Sequence, residues 1–305
     1  MILRTAKYLK KIPSLKGKTY IITGANSGLG YALAEILLEK EAHIITANRN
    51  PKRSANAKAK LLEKFPHAKI SEYFFDQSDE SSIIHFVSEL AKDKVVFDGF
   101  VFNAGIYLPA RGLKTSNNMG RTFGINYYGN YLLLKALLAA NLIQSDTRLI
   151  FTTSAAAYKK LNETQLKRII SGTKVSRHRQ YKGSKAALNI LIYKLMTQSE
   201  DSPLKADAKL ALYHPGVSNT NITRFKFKPF NFIVHLFMRI VFHTPRKAVL
   251  GAVYALTSDE DFNGLMIVPS GPLETSGVPK TKKIDAKLSK HLPLLINSVN
   301  DFLQD

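Results

Sequence analysis

Short apolar, β-branched runs alternate with helical patterns along this 305-residue chain, and the alternation restricts the folds open to it. "TYIIT" precedes "GYALAEILLEK", "AHIITAN" precedes a Lys/Ala-rich helix ending near Phe65, and "KISEYFFD" precedes "ESSIIHFVSELAKD". "FDGFVFNAG" then leads to "INYYGNYLLLKALLAAN", "TRLIFTTS" to "YKGSKAALNILIYKLMTQS", and "AKLALYHPG" closes the series. Strands joined by crossover helices lie parallel and carry helices on both faces. The expectation is an α/β, doubly wound parallel sheet in three α/β/α layers. No Pro/Gly/Ser-rich linker or long-period repeat divides it, so a single domain over 17–290 is expected, with a basic lead at 1–16 and a C-terminal helix at 291–305.

Without cysteine the chain has no disulfide, no thiolate metal site and no cysteine nucleophile. The eight histidines show no metal-ligand spacing, and no metal is expected. A formal charge of +21 would draw phosphate-rich or anionic partners. The lysines and arginines are dispersed, however, and accompany no nucleic-acid-reading module, so a solvated basic surface is the plainer reading.

"TGANSGLG", Thr23 to Gly30, joins the first strand to the first crossover helix. A glycine-rich turn there is either a flexible connection or a phosphate cradle. The cradle needs a tight turn free of side chains, and a helix whose free N–H groups and dipole meet the anion. Gly24 would permit the sharp exit from the strand, Gly28 close approach of a pyrophosphate, and Gly30 close packing of the helix.

The spacing Gly-x3-Gly-x-Gly resembles the short-chain dehydrogenase/reductase family, and differs from the Gly-x2-Gly-x2-Gly usual in sugar-nucleotide epimerases. Further matches follow in order: "NAG" at Asn103–Gly105, Asn126 in "INYYGN", Ser154 in "TTSAAA", Tyr181 and Lys185 in "YKGSK", and "HPG" at His214–Gly216 followed by Thr220. Features such as "NRNPKRS" and "SGPLETSGVPKTKK" look most like the branch of retinol dehydrogenases, protochlorophyllide reductases and their bacterial relatives. The resemblance covers about residues 17 to 290 and implies a Rossmann fold and an oxidoreductase that interconverts a carbonyl and an alcohol by hydride transfer.

The resemblance also implies roles. Asn126, Ser154, Tyr181 and Lys185 form the catalytic group: Tyr181 as acid/base, Ser154 on the same substrate oxygen, Lys185 on the ribose hydroxyls, and Asn126 keeping a water that links Lys185 to solvent. Tyr181 and Lys185, four apart on a helix, share a face. A phenol with an unperturbed pKa of about 10 would be lowered toward neutrality by the ammonium and the oxidised nicotinamide. The cofactor would meet Thr23, Gly24, Asn26, Ser27, Gly28, Leu29 and Gly30; Asp76 and Gln77 at the adenine; Asn103, Ala104 and Gly105; Tyr181 and Lys185; and Pro215, Gly216, Val217 and Thr220. Arg49 ends the second strand in "TANRN" with no carboxylate nearby in sequence, which favours NADP(H) over NAD(H), with Lys52 and Arg53 as helpers.

Two stretches break the rhythm. Ser154 and Tyr181 are 27 residues apart, about twice the interval common in the family, so 158–180 reads as an insert or elongated loop that makes the substrate entrance unusual and basic. Residues 218–246 read as a substrate lid. Its apolar stretch Phe230–His243 is too short to span a bilayer and is a lid helix, a core or subunit contact, or an interfacial anchor. The basic flank Arg224, Lys226, Lys228, Arg246 and Lys247 would favour anionic headgroups in the last case. With no cleavable signal recognised, a cytoplasmic protein is expected, either free or peripheral to a membrane. Its expected partners are a small carbonyl or alcohol, a lipophilic one if the lid covers it, and further copies as a homodimer or homotetramer, but no specific nucleic acid. The rival readings are a non-catalytic NADP(H)-sensing scaffold and a peripheral membrane protein.

Overall fold

The computed structural model describes residues 2–157, 162–197, 208–216 and 244–304. Its centre is an eight-stranded sheet in the order β3-β2-β1-β4-β5-β6-β7-β8. The strands are β1 (Thr19–Thr23), β2 (His43–Asn48), β3 (Ile70–Phe74), β4 (Gly99–Phe102), β5 (Arg148–Thr152), β6 (Lys209–Tyr213), β7 (Leu265–Pro269) and β8 (Pro279–Lys283). The helices are α1 (Ile2–Lys10), α2 (Gly28–Glu39), α3 (Pro51–Lys64), α4 (Glu80–Lys92), a turn α5 (Arg121–Phe123), α6 (Gly129–Ala139), α7 (Glu163–Ser171), α8 (Arg177–Thr197), a turn α9 (Pro245–Ala248), α10 (Leu250–Thr257) and α11 (Leu292–Gln304).

β1 through β7 run parallel, as the alternation predicts, and β1 pairs with β2 on one side and β4 on the other. Strand order reverses there, opening a crevice beyond the carboxyl ends of β1 and β4. The central strands are apolar on both faces because both are covered by helices. Ile21, Ile22, Phe100 and Phe102 are all sealed from solvent, and Phe102 stacks on Phe151 with ring centroids 4.1 Å apart.

The antiparallel edge strand β8 pairs with β7, Ile267 opposite Thr281. It departs from the all-parallel expectation. "PKTKK" has no apolar alternation to announce a strand, and its lysines and proline suit an edge that must not recruit another chain. The basic lead is likewise more than a tail. α1 brings Leu9, followed by Ile12 and Leu15, into the core, and the Leu15 amide donates to the Lys40 carbonyl at the end of α2.

Residues 162–171 correct the elongated-loop reading of the insert. Asn162 caps α7 by accepting from the Gln165 amide at 2.9 Å, and Gly172 ends it with φ of 70°. Leu166, Ile169 and Ile170 form one apolar face and are buried. The rest of the insert's start, 158–161, lies outside the described residues.

Candidate active site

The crevice holds a cavity of about 310 Å³ bounded by the β1–α2 turn, the end of β2, Asp76 and Gln77 after β3, and Asn103 to Ile106 after β4. Gly24 and Gly28 have φ of 69° and 59° and turn the chain from strand to helix. A Cβ on Gly30 would stand 2.4 Å from the Gly24 carbonyl oxygen, so only glycine lets α2 approach the turn this closely. Ser27, at the N-cap of α2, makes no side-chain cap, and no carboxylate occupies the first turn. The opening amides of α2 are therefore left for an anion. This cradle fits the pyrophosphate of a dinucleotide.

Asn26, Ser27, Leu29, Gln77, Ala104 and Gly105 border the cavity as expected. Thr23 does not. It is sealed, its hydroxyl accepting from the amides of Asn103 (3.0 Å) and Ala104 (2.9 Å), while Asn103 Nδ2 donates to the Thr23 carbonyl at 2.8 Å. Thr23 thus ties β1 to the turn after β4 and does not line the cavity. Gly30 does not line it either, and serves packing. Gln77 Oε1 and Asn103 Oδ1 are buried without a partner.

The expectation that Arg49 has no carboxylate nearby also needs correction. In space its guanidinium lies 3.6 Å from Asp76 Oδ2. Burial works to raise the Asp76 carboxyl, but hydrogen bonds from Ser78 and the charges of Arg49 and Arg121 bring it below the ordinary carboxylate range. The pair is largely exposed, so it is weak and open to competition from a phosphate. Arg49 and Arg53 both line the cavity, Arg53 in the first turn of α3, where Asn50 accepts from its amide at 2.9 Å.

Beyond β5, the Ser154 hydroxyl, which accepts from the Ala156 amide at 3.1 Å, is near enough to the Tyr181 phenol on α8 to influence its titration. Lys185, one turn further on, is buried and donates from Nζ to the Thr152 carbonyl at 2.8 Å. Burial draws its ammonium down to about 8. Burial raises the phenol, the Ser154 hydroxyl works against that, and Tyr107 adds to the rise; the lowering expected from an oxidised nicotinamide belongs to the cofactor complex. The ammonium faces a carbonyl, and burial dominates at the phenol.

Asn126 occupies a π-helical turn, Gly124–Tyr128, between α5 and α6. Its Oδ1 accepts from the Ile106 amide at 2.8 Å, and its Nδ2 donates to the Ile106 carbonyl and to Ser184 Oγ. The side chain thus fastens the loop after β4 to α8. A Cβ on Gly105 would lie 3.0 Å from Asn126 Oδ1 and 3.6 Å from Lys185 Nζ, which accounts for glycine there.

Tyr107 was not foreseen. Its ring meets the Tyr181 ring edge-on, centroids 4.7 Å apart, and its hydroxyl lies 3.3 Å from His178 Nδ1. The available signal was its place two residues after "NAG". His214 is also absent from the expected set. Its Nδ1 accepts from the Gly216 amide at 3.0 Å and its Nε2 donates to Glu274 at 3.1 Å, which pins the Pro215–Gly216 turn. Burial lowers the imidazole despite the carboxylate, and it stays neutral near neutral pH.

Val217, Thr220 and residues 218–243 of the expected lid lie outside the described residues. Arg246, counted in the basic flank, is paired with Glu35 and Glu39 of α2 and is not free for headgroups. Among the described residues no helix is long and apolar enough to cross a membrane.

Residues 18–166 match the family model for short chain dehydrogenases. Just under half of the chain is thus similar to the short-chain dehydrogenase/reductase oxidoreductases. It is 27% identical over 297 residues to polyprenol dehydrogenase of Danio rerio, covering 94% of this chain and 89% of that one. It is 27% identical over 266 residues to retinol dehydrogenase 14 of Homo sapiens, covering 81% and 76%. These relatives agree with the retinol dehydrogenase-like branch. A solved structure of an uncharacterized protein from Mycobacterium Paratuberculosis superimposes with a TM-score of 0.73 at 19% identity over 97% of both chains, a likeness of fold. Short-chain dehydrogenases as a family use a nicotinamide cofactor and act on small molecules.

Proposed function

We propose that the chain is an NADP(H)-dependent carbonyl/alcohol oxidoreductase with Tyr181 as proton donor and acceptor. The observation that carries this reading is the nearness of the Ser154 and Tyr181 hydroxyls, with Lys185 one helical turn along. Two neighbouring hydroxyls can converge on one further oxygen. A bound nicotinamide cofactor supplies the hydride in reduction and accepts it in oxidation. Tyr181 gives its proton to the carbonyl oxygen in reduction and recovers one from the alcohol in oxidation. Its raised pKa keeps it protonated at neutral pH, suited to the donor role. Ser154 holds the same oxygen and stabilises charge growing there. Lys185 has further ammonium protons to offer ribose hydroxyls while one is held by Thr152. Asn126 positions α8 against the loop after β4.

Preference for NADP(H) rests on Arg49 and Arg53 at the cavity wall. A 2′-phosphate dianion would displace the half-buried Asp76 carboxylate from the exposed Arg49, charge-assisted bonds to phosphate being stronger. A lipophilic substrate is favoured by the apolar composition of Phe230–His243 and by relatives named for polyprenol and retinol, both isoprenoid alcohols. The test is absorbance loss from NADPH and NADH with a panel of medium-chain aldehydes, ketones and retinoids. Turnover at the wild-type rate by Tyr181→Phe would remove Tyr181 from its role.

A further inference from the structure

A second cavity, of about 440 Å³, lies between the loop after β4 and the segment joining α7 to α8. Six of its fifteen lining residues are cationic, Arg111, Lys114, Arg121, Lys174, Arg177 and Arg179, against 44 lysines and arginines in 305 residues overall. None of the fifteen is a carboxylate. Among the described residues none of the six is ion-paired. A surface whose charge is merely solvated disperses its cations or interleaves them with acids, since like charges crowded around one concavity repel.

Two of the cations build the basin. Arg177 donates to the carbonyls of Leu108 and Pro109, and Lys114 donates to those of Ser171 and Asn118, which joins the two rims without neutralising either charge. Arg177 and Arg179 also stand in the first turn of α8, where no acidic residue offsets the positive end of the helix dipole. An anion in the basin would relieve both repulsions. The basin shares no lining residue with the dinucleotide cavity, whose cations are Arg49 and Arg53, and only Arg121 acts across both, on Asp76.

We propose that this basin binds a phosphate or diphosphate group. Its position fixes what such a ligand could do: Arg177 is one helical turn before Tyr181, and Tyr107 touches the Tyr181 ring while its hydroxyl reaches His178 beside Arg177. The phosphate belongs either to the headgroup of the molecule that reacts at Tyr181 or to a separate small effector held between the two rims.

The experiment is calorimetric titration of the full chain with inorganic pyrophosphate, for wild type, Arg49→Gln, and the double variant Arg111→Gln/Lys174→Gln. Arg111 and Lys174 are exposed and hold no carbonyl among the described residues, and Arg179→Gln serves as an independent second variant should the double variant melt early. Binding retained in Arg49→Gln and at least tenfold weaker in the basin variants is the expected result. Wild-type affinity in the basin variants, or loss in Arg49→Gln alone, overturns the proposal. The titration needs no turnover, so its failure is separate from any failure of the oxidoreductase reading. A second arm, which does rest on that reading, compares an aldehyde carrying a terminal phosphate with its unphosphorylated counterpart. A lower KM for the phosphorylated aldehyde that disappears in the double variant assigns the site to the substrate headgroup; equal KM values assign it to a separate effector.

Discussion

The Lys185 ammonium donates to the Thr152 carbonyl at the end of β5, 2.8 Å away and 33 residues earlier in the chain. One hydrogen bond to a neutral carbonyl does not offset full burial, and the amine is brought down to about 8 from an ordinary 10.5. The linkage sign follows. Between those values the unfolded chain holds the proton and the folded one releases it, so stability rises with pH across the window and the penalty is fully present below about 8. Lys185→Met is expected to melt higher than wild type at pH 7 in the absence of cofactor, by up to about 3 kcal/mol. The advantage should fade toward pH 10. Denaturant melts at both pH values check it; equal destabilisation of the variant at each would contradict the burial argument.

The hydroxyl pair predicts distinct kinetic losses. Tyr181→Phe removes the transferable proton and is expected to lower kcat by roughly 10²- to 10⁴-fold. Ser154→Ala removes one stabilising donor and should cost about 10²- to 10³-fold. Neither residue borders the phosphate cradle, so NADPH affinity, read by fluorescence quenching, should stay within a few-fold of wild type. A parallel collapse in affinity would mean that the substitutions act through the fold.

Arg49 can be tested by difference. Its exposed pairing with Asp76 contributes little to stability, so Arg49→Ala should melt within about 0.5 kcal/mol of wild type. Loss of a charge-assisted phosphate contact of about 1.5–3 kcal/mol corresponds to roughly ten- to a hundredfold weaker NADPH binding. NADH binding should barely change. Equal weakening of both would show that Arg49 serves the shared part of the dinucleotide.

Much of this was written locally. The strand–helix rhythm carries β1 to β6 because the inner strands β1, β4, β5 and β6 each hold a buried, mostly apolar run, and Gly24, Gly28 and Gly30 are needed by backbone geometry that sequence spacing reports directly. Relations between distant elements were not legible. The Arg49–Asp76 pair joins the ends of β2 and β3, the Thr23 hydroxyl is consumed across β1 and β4, and the Tyr107–Tyr181 contact spans 74 positions. β8 escaped because an edge strand need not bury anything, and α7 because its polar face outweighs three apolar residues in a window read for loops.

The lodging of α7 provides the last prediction. Gly120 and Gly172 approach so closely that a Cβ on Gly120 would stand 2.6 Å from the Gly172 Cα, and the Gly120 amide donates to the Ile170 carbonyl at 2.7 Å. Gly183 on α8 packs against the Ile169 side chain. The insert is thus seated by glycines on two neighbouring segments, and the Gly120–Gly172 fit is backbone to backbone, so no rotamer change can relieve it. Gly120→Ala is expected to destabilise the protein by about 1–3 kcal/mol, the usual range for overpacking. Because Lys114 and Gln180 also hold the carbonyls at the end of α7, the damage should reach the 108–121 loop and the start of α8. Hydrogen exchange should then quicken in 163–180 and 108–121 while the amides of β1, β4 and β5 keep their protection. Uniform loss of protection across the sheet would instead mean that the insert is an integral part of the core and not a unit docked upon it.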